Sequence, residues 1–332
     1  MPTTASRRPA SSLDVAALAG VSRSTVSHIL NGHGVERFPQ ETRDRVLAAA
    51  AELEYRPSPA GRTLVKGRSD TIVVLAPNTT WGGNLQDAVD RIIADTASLG
   101  ANVVVRFAGL DHKATIDAVL DLRPFAVVDL GYLDEAERER LLGKGVLTVP
   151  ELSRSMDPGA PSIDDLIARY QVSALLRAGD RRIAFASIAD ERLDPYGPGR
   201  FASVSAECAA RDLAPTTMVR VPLHLGGALD VLRPLFAEAP IGFACYNDDV
   251  ALAVLAAARE DLRAVPADVS VVGVDASDLG QLWSPRLTTI GVDIRAFVDA
   301  AIDQLQGLLA GVEAGHPLAS AGAIRLVDGL TT

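Results

Sequence analysis

At 332 residues, 48% of them apolar, the chain is long enough for two or three domains with sizeable cores. Its net charge of −10 is uneven: residues 1–68 hold ten Arg and Lys against six Asp and Glu, while the rest holds 22 against 36, so only the head is suited to a polyanion. The start, MPTTASRRPASSLD, lacks the apolar run of a signal peptide, the longest uncharged apolar stretch (Val250 to Ala258) is too short for a bilayer, and Cys208 and Cys245 have no ligand-spaced neighbours, so the expectation is a cytoplasmic chain with buried thiols, no metal and no cofactor.

Residues 1–10 read as a disordered arm, and 11–56 as a small helical domain. Ser11 stands three residues before Asp14, the spacing of a capping box, and Val15, Ala16 and Ala19 form one apolar face. Gly20 is placed to end this helix, and Ser22 to cap the next. There Val26, Ile29 and Leu30 turn inward, while Arg23, Ser24, Ser27 and His28 share the other side as far as Asn31-Gly32. These are the parts of a helix-turn-helix; by spacing alone, a helical hairpin with a merely solvated polar face fits too. ETRDRVLAAAAELEY supplies a third helix through Val46, Ala49, Ala50 and Leu53. Residues 57–69 read as a basic linker containing a short helix, capped by Ser58 and started by Pro59.

From residue 70 to 332 the pattern is α/β. TIVVLAP, NVVVRFA, FAVVDLG and VLTVPEL are β-branched runs, and RRIAFASI, MVRVPL, IGFACY and VSVVGVD form a second series, with helices between. Two series predict two lobes of doubly wound parallel sheet, lobe 1 being about 70–178 plus 291–320 and lobe 2 about 179–289 plus 322–332. Two strands end in polar residues, at Asn247-Asp248 and at Asp275, where open parallel sheets bind ligands; an ordinary helix cap explains the first equally well. Gly197-Pro-Gly199 reads as a loop whose proline argues against phosphate cradling, and no P-loop, metalloprotease or nucleophile-elbow motif is present, so no catalytic residues are assigned.

DVAALAGVSRSTVSHILNG closely resembles the DNA-binding segment of the lac repressor/galactose repressor family of bacterial transcription regulators. The likeness continues through RAGDRRIAF, with Asp180 where histidine is usual, and RFASV, with Ser203 and Val204 replacing glycine and an aromatic. YNDDVALAVL, VPADVSVVGVD and PRLTTI extend it, and it is weakest between Trp81 and Ala160. The resemblance implies a helix-turn-helix domain followed by a periplasmic-binding-protein-like effector domain. It implies DNA contacts by Ser22, Arg23, Ser24, Ser27, His28 and Asn31, with His28 standing where arginine is more common. In the linker it implies a hinge helix that orders on DNA, with Arg62 beside a Leu64 that enters the minor groove. In the body it implies an effector, a sugar or sugar phosphate, contacted by Arg200, Asn247 and Asp275; the family's Asn-Pro-Phe-Phe run, which lines the pocket, falls on Gly83-Asn84-Leu85, with Trp81 just before it. The family's Asp-Asn pair falls on Asp165-Leu166, which removes one polar contact.

The expected protein is therefore a repressor, not an enzyme. Its expected partners are a palindromic double-stranded operator, a small-molecule effector and further copies of itself, as a homodimer or a tetramer, with no membrane. The rival class, a periplasmic-type sugar-binding protein, would carry a signal peptide and no basic helix-turn-helix. The hinge generates a test. Gly61 stands where the family has alanine, and glycine costs about 1 kcal/mol in a helix. Gly61→Ala in both chains of a dimer is expected to tighten operator binding by about 2 kcal/mol, roughly thirty-fold, measured at one fixed salt concentration.

Overall fold

The computed structural model describes residues 10–32, 34–55, 69–80, 83–97, 101–150, 161–179, 182–310 and 324–332, without the side chains of 83, 84, 296, 309 and 310. The hinge helix with Arg62 and Leu64, Trp81, nearly all of the arm and the side chain of Asn84 lie outside what is described. The chain forms two units, Met1–Asp70 and Thr71–Thr332.

In the first unit, α1 (Ser12–Ala19), α2 (Arg23–Leu30) and α3 (Gln40–Glu52) enclose one small core. Ser11 and Asp14 close the capping box, Asp14 N–H donating to Ser11 Oγ at 3.4 Å and Ser11 N–H to Asp14 Oδ2 at 2.7 Å. Helix α1 ends at Gly20, whose φ of 65° is a conformation that a side chain would strain. Helix α3 follows Pro39 without a side-chain cap, since proline has no polar atom to offer. The core consists of Val15, Val26, Ile29, Val46 and four alanines. Such small side chains let the helices approach closely and leave little apolar area to lose.

The second unit begins with β1 (Thr71–Ala76), α4 (Gly83–Ala97), β2 (Asn102–Phe107), α5 (His112–Asp121), β3 (Ala126–Asp129), α6 (Glu135–Leu142) and β4 (Leu147–Val149). It continues with α7 (Ile163–Arg177), β5 (Arg182–Ile188), α8 (Gly197–Ala210), β6 (Thr217–Val221), α9 (Leu225–Phe236), β7 (Ile241–Cys245) and α10 (Asp248–Glu260). Then come β8 (Val269–Val274), α11 (Asp278–Leu282), β9 (Thr288–Val292), α12 (Arg295–Ala310) and β10 (Ile324–Val327). Strand order is β2-β1-β3-β4 in one sheet and β10-β9-β8-β7-β5-β6 in the other. All pairings are parallel except β10 with β9.

Strand alternation builds both faces of the first lobe. Ile72 and Val74 pack on Val89 and Ile92 of α4 and on Val298 and Leu305 of α12. Val73 and Leu75 face the opposite way, toward Ile116 and Val119 of α5 and Leu141 of α6. The second lobe has a larger core that includes Phe185, Phe236, Phe243 and both buried free cysteines.

Three expectations are revised. Helix α7, placed in lobe 1 by chain order, packs on the second sheet: Ile167, Val172 and Leu175 enter its core, and Gln171 Nε2 donates to the Cys245 and Val272 carbonyls. The chain has already crossed between lobes before this helix, so the second lobe starts well ahead of residue 179. PRLTTI, which the resemblance makes a crossover between the lobes, runs into a strand, Thr288–Val292, buried over its first four residues. Gly197-Pro-Gly199 is the first turn of α8, where proline's missing N–H costs nothing. No helix among the described residues is long and apolar enough to cross a membrane.

Because the head has so few large core side chains, Ile29→Ala is expected to cost about 2–5 kcal/mol and to unfold the head selectively. Calorimetry of the full chain checks this: the transition of the larger unit should keep its temperature.

Candidate functional site

Two surfaces carry the residues singled out above. On the head, Ser22 Oγ accepts the Thr25 N–H at 3.1 Å and so starts α2. Arg23, Ser24 and His28 are exposed along this helix and Ser27 is half-buried beside them. Arg23 Nε donates to Ser12 Oγ at 3.0 Å, which steadies the guanidinium across the turn. Asn31 folds back, its Nδ2 donating to the Ser27 carbonyl at 2.8 Å and to Ser27 Oγ at 3.2 Å. It thereby holds the end of α2 and orients Ser27.

In the body, a cavity of about 480 Å3 lies between the lobes, walled by residues from both. The strand ends build it. β1 runs on to Thr79 and Thr80, β3 to Leu130 and Gly131, β7 to Tyr246 and Asn247, and β8 to Asp275. Helix α8 begins just after Tyr196 and carries Arg200. Arg200, Asn247, Asp275 and Leu85 thus share one cavity.

Arg200 is the most heavily contacted of these. Its guanidinium lies 5.4 Å from the Tyr196 ring centre and 5.1 Å from that of Tyr246. It donates to the Tyr246 carbonyl and pairs with Asp164 Oδ1 at 3.5 Å. Asn247 does both things considered for it. Its Oδ1 accepts the Val250 N–H at 3.0 Å as the cap of α10, and its Nδ2 donates to Thr80 Oγ1 at 2.6 Å, across the lobes. The hydroxyls of Thr79 and Tyr246 share a 3.1 Å bond, and the Tyr196 hydroxyl donates to the Leu130 carbonyl at 3.3 Å. These bonds tie the facing walls together.

Asp275 sits at φ 107° and the next residue, Ala276, at φ 52°. Two successive side-chain-bearing residues in that region mean strained backbone, which persists where surrounding contacts impose it. Asp248 imposes it here. Its carboxylate accepts the Ser277 N–H at 2.6 Å and the Thr289 hydroxyl, pinning the loop to α10. Gly273 makes room, since a Cβ there would meet Asp248 Oδ1 at 2.0 Å. Burial pushes the Asp248 carboxyl up to about 6. Burial also pushes Asp275 up to about 7; Arg200 opposes this, and Asp248 and Asp249 add to it.

Sequence reasoning missed Asp164, Tyr196, Tyr246 and Phe297, which also line the cavity. Attention fell on Asp165, but its carboxylate closes a capping box with Ser162 and accepts the Ser203 hydroxyl at 2.7 Å. Adjacent helical residues point about 100° apart, so Asp164 is the one turned to the cavity. The doubled aspartate at the start of α7 was the available signal.

Residues 13–58 match the family model of bacterial regulatory proteins, lacI family, and residues 172–332 that of a periplasmic binding protein-like domain. An uncharacterized HTH-type transcriptional regulator in the aml 5'region of Streptomyces limosus is 30% identical over 329 residues, covering 88% of this chain and 86% of that protein. The HTH-type transcriptional repressor CytR of Escherichia coli K12 is 28% identical over 309 residues, 89% of each chain. The crystal structure of the lac repressor dimer bound to operator and the anti-inducer ONPF shares the fold, with a TM-score of 0.73 at 24% identity over 98% of this chain and 99% of that one.

The Asp275 carboxyl generates a pH test. Its ordinary value is 3.8 and its folded value about 7, so between them the folded chain holds a proton that the unfolded chain releases. The associated stability is present at low pH and lost as pH rises through about 7. Asn cannot ionise, so Asp275→Asn is expected to gain about 2–3 kcal/mol on the wild type between pH 5 and pH 8. Denaturant unfolding at both pH values measures the difference.

Proposed function

The chain belongs to the lacI family of bacterial regulatory proteins, and on that premise we propose that it represses transcription from a palindromic operator that a small molecule makes it hold or release. It is a DNA-binding transcription regulator. The observation that carries the rest is that one chain has both a polar α2 face, with Arg23, Ser24 and His28 exposed and Ser27 half-buried beside them, and a cavity walled by two lobes. Side chains at the start of a recognition helix reach base edges in the major groove, and arginine there favours guanine through O6 and N7. One helix-turn-helix covers half a palindrome, so two copies act together.

A ligand seated between the lobes contacts both walls and so favours one lobe arrangement over another. That difference in affinity is the only free energy available to change DNA binding. Arg200, Asn247 and Asp275 are the contacts proposed for it, with Leu85 on the opposite wall. A binding protein without a regulatory role leaves the head unexplained, and the relatives are named as transcription regulators.

The test is selection of bound duplexes from a random pool by the full chain. A palindromic consensus is expected. Arg23→Ala should lose about 1–3 kcal/mol on that consensus and relax preference at one symmetric pair of positions. Equal weakening on all sequences would make Arg23 a phosphate contact instead.

A further inference from the structure

Two hydroxyls on the outer side of α2 are held by near neighbours, Ser24 Oγ by Ser22 Oγ at 2.7 Å and Ser27 Oγ by Asn31 Nδ2 at 3.2 Å. Arg23 is held from a different helix: its Nε–H donates to Ser12 Oγ, in the first turn of α1. Ser12 is free to accept because Ser11 does the capping. Ser11 Oγ takes the Asp14 N–H, and its own proton goes to Asp14 Oδ2 at 2.6 Å. The first serine of the pair thus serves the helix end and the second serves the next helix.

The kind of acceptor matters. A hydroxyl is neutral, so it fixes the guanidinium without cancelling its charge, whereas in the body Arg138 is held by Asp129 and Arg200 by Asp164. Arg23 has no ion pair among the described residues. A carboxylate in the place of Ser12 would be repelled by the phosphates of a duplex. The atom that is held matters as well. With Nε–H taken, the side edge of the guanidinium, made by Nε and one Nη, is used up. What remains is the far edge, Nη1 and Nη2, two parallel donors that match O6 and N7 of one guanine. An adenine in the same place presents N7 beside an amino donor and fails half of that fork. A long side chain already held in one place also gives up less freedom on binding.

We propose that Ser12 is a positioning residue for base reading: by holding Arg23 Nε it fixes the guanidinium so that its Nη1–Nη2 edge selects guanine over adenine at one symmetric pair of operator positions. This role rests on Arg23 contacting a base edge from the recognition helix.

The experiment is a double-mutant cycle on the full chain at one fixed salt concentration. The probes are the palindromic duplex that the wild type selects from a random pool, and the same duplex with G·C changed to A·T at the symmetric pair that Arg23→Ala relaxes. The wild type should prefer the first duplex by about ten-fold or more, and Ser12→Ala should reduce that ratio by about five-fold or more. Ser12→Thr, which keeps the hydroxyl, should hold the ratio within about two-fold of wild type, and Ser12→Ala should not move it in an Arg23→Ala background. Alanine is as good a helix former as serine and Ser11 still caps α1, so the thermal transition of the head should stay in place. A fault in the fold would weaken both duplexes together and leave their ratio unchanged. An unchanged ratio in Ser12→Ala, where Arg23→Ala loses it, overturns the positioning role and leaves the Arg23 base contact standing. The same loss with and without Arg23 also overturns it, since Ser12 then acts on the duplex by itself, and so does Ser12→Thr behaving like Ser12→Ala. If Arg23→Ala weakens every duplex equally, the base contact falls and the role of Ser12 with it.

Discussion

Both sheets of the body are covered by helices on their two faces, and this constraint decides where polar chemistry is found. Val73, Val74 and Leu75 in the first sheet, and Phe243, Ala244 and Cys245 in the second, are completely buried. A charged side chain within such strands would lose its hydration without compensation. Polar side chains therefore collect where the strands run out, and the carboxyl ends of the parallel strands face one cleft. Thr79 and Thr80, Asn247 and Asp275 are the residues that immediately follow or closely follow buried strands.

Within that cleft, one cation organises the second lobe's wall. Arg200 links α7 through Asp164, the end of β7 through the Tyr246 carbonyl, and two tyrosine rings. The interaction is worth more here than at a surface, because both side chains are largely removed from water. Asp248 plays a corresponding part behind the wall. Fully hydrogen-bonded to Ser277 and Thr289, it holds the strained turn that aims Asp275. The cleft is thus built by residues that touch one another more than by residues left open to solvent.

The head follows a different economy of size. Its core is mostly alanine and valine, and its helix ends are set by local side-chain bonds at Ser11, Asp14 and Ser22. Short-range signals suffice to define it, which is why capping and glycine positions map so directly from residues to structure. The outer side of α2 is not needed for the core, so Arg23, Ser24 and His28 lie exposed there.

What the sequence by itself determined was local: the three head helices, the β-branched strands in two series, the caps at Ser11, Ser22 and Asn247, and the strand ends at Asn247 and Asp275. Each of these depends on residues only a few positions apart, through helical spacing, strand alternation or a cap. Tertiary structure alone decided that α7 belongs with the second sheet, that Asp164 rather than Asp165 meets the cavity, and that Tyr196 and Tyr246 enclose Arg200. Those outcomes depend on contacts between residues tens of positions apart, such as Gln171 with Cys245 and Val272, or Tyr196 with Leu130. Periodicity records which face of an element is apolar, but not which of two apolar cores that face will join.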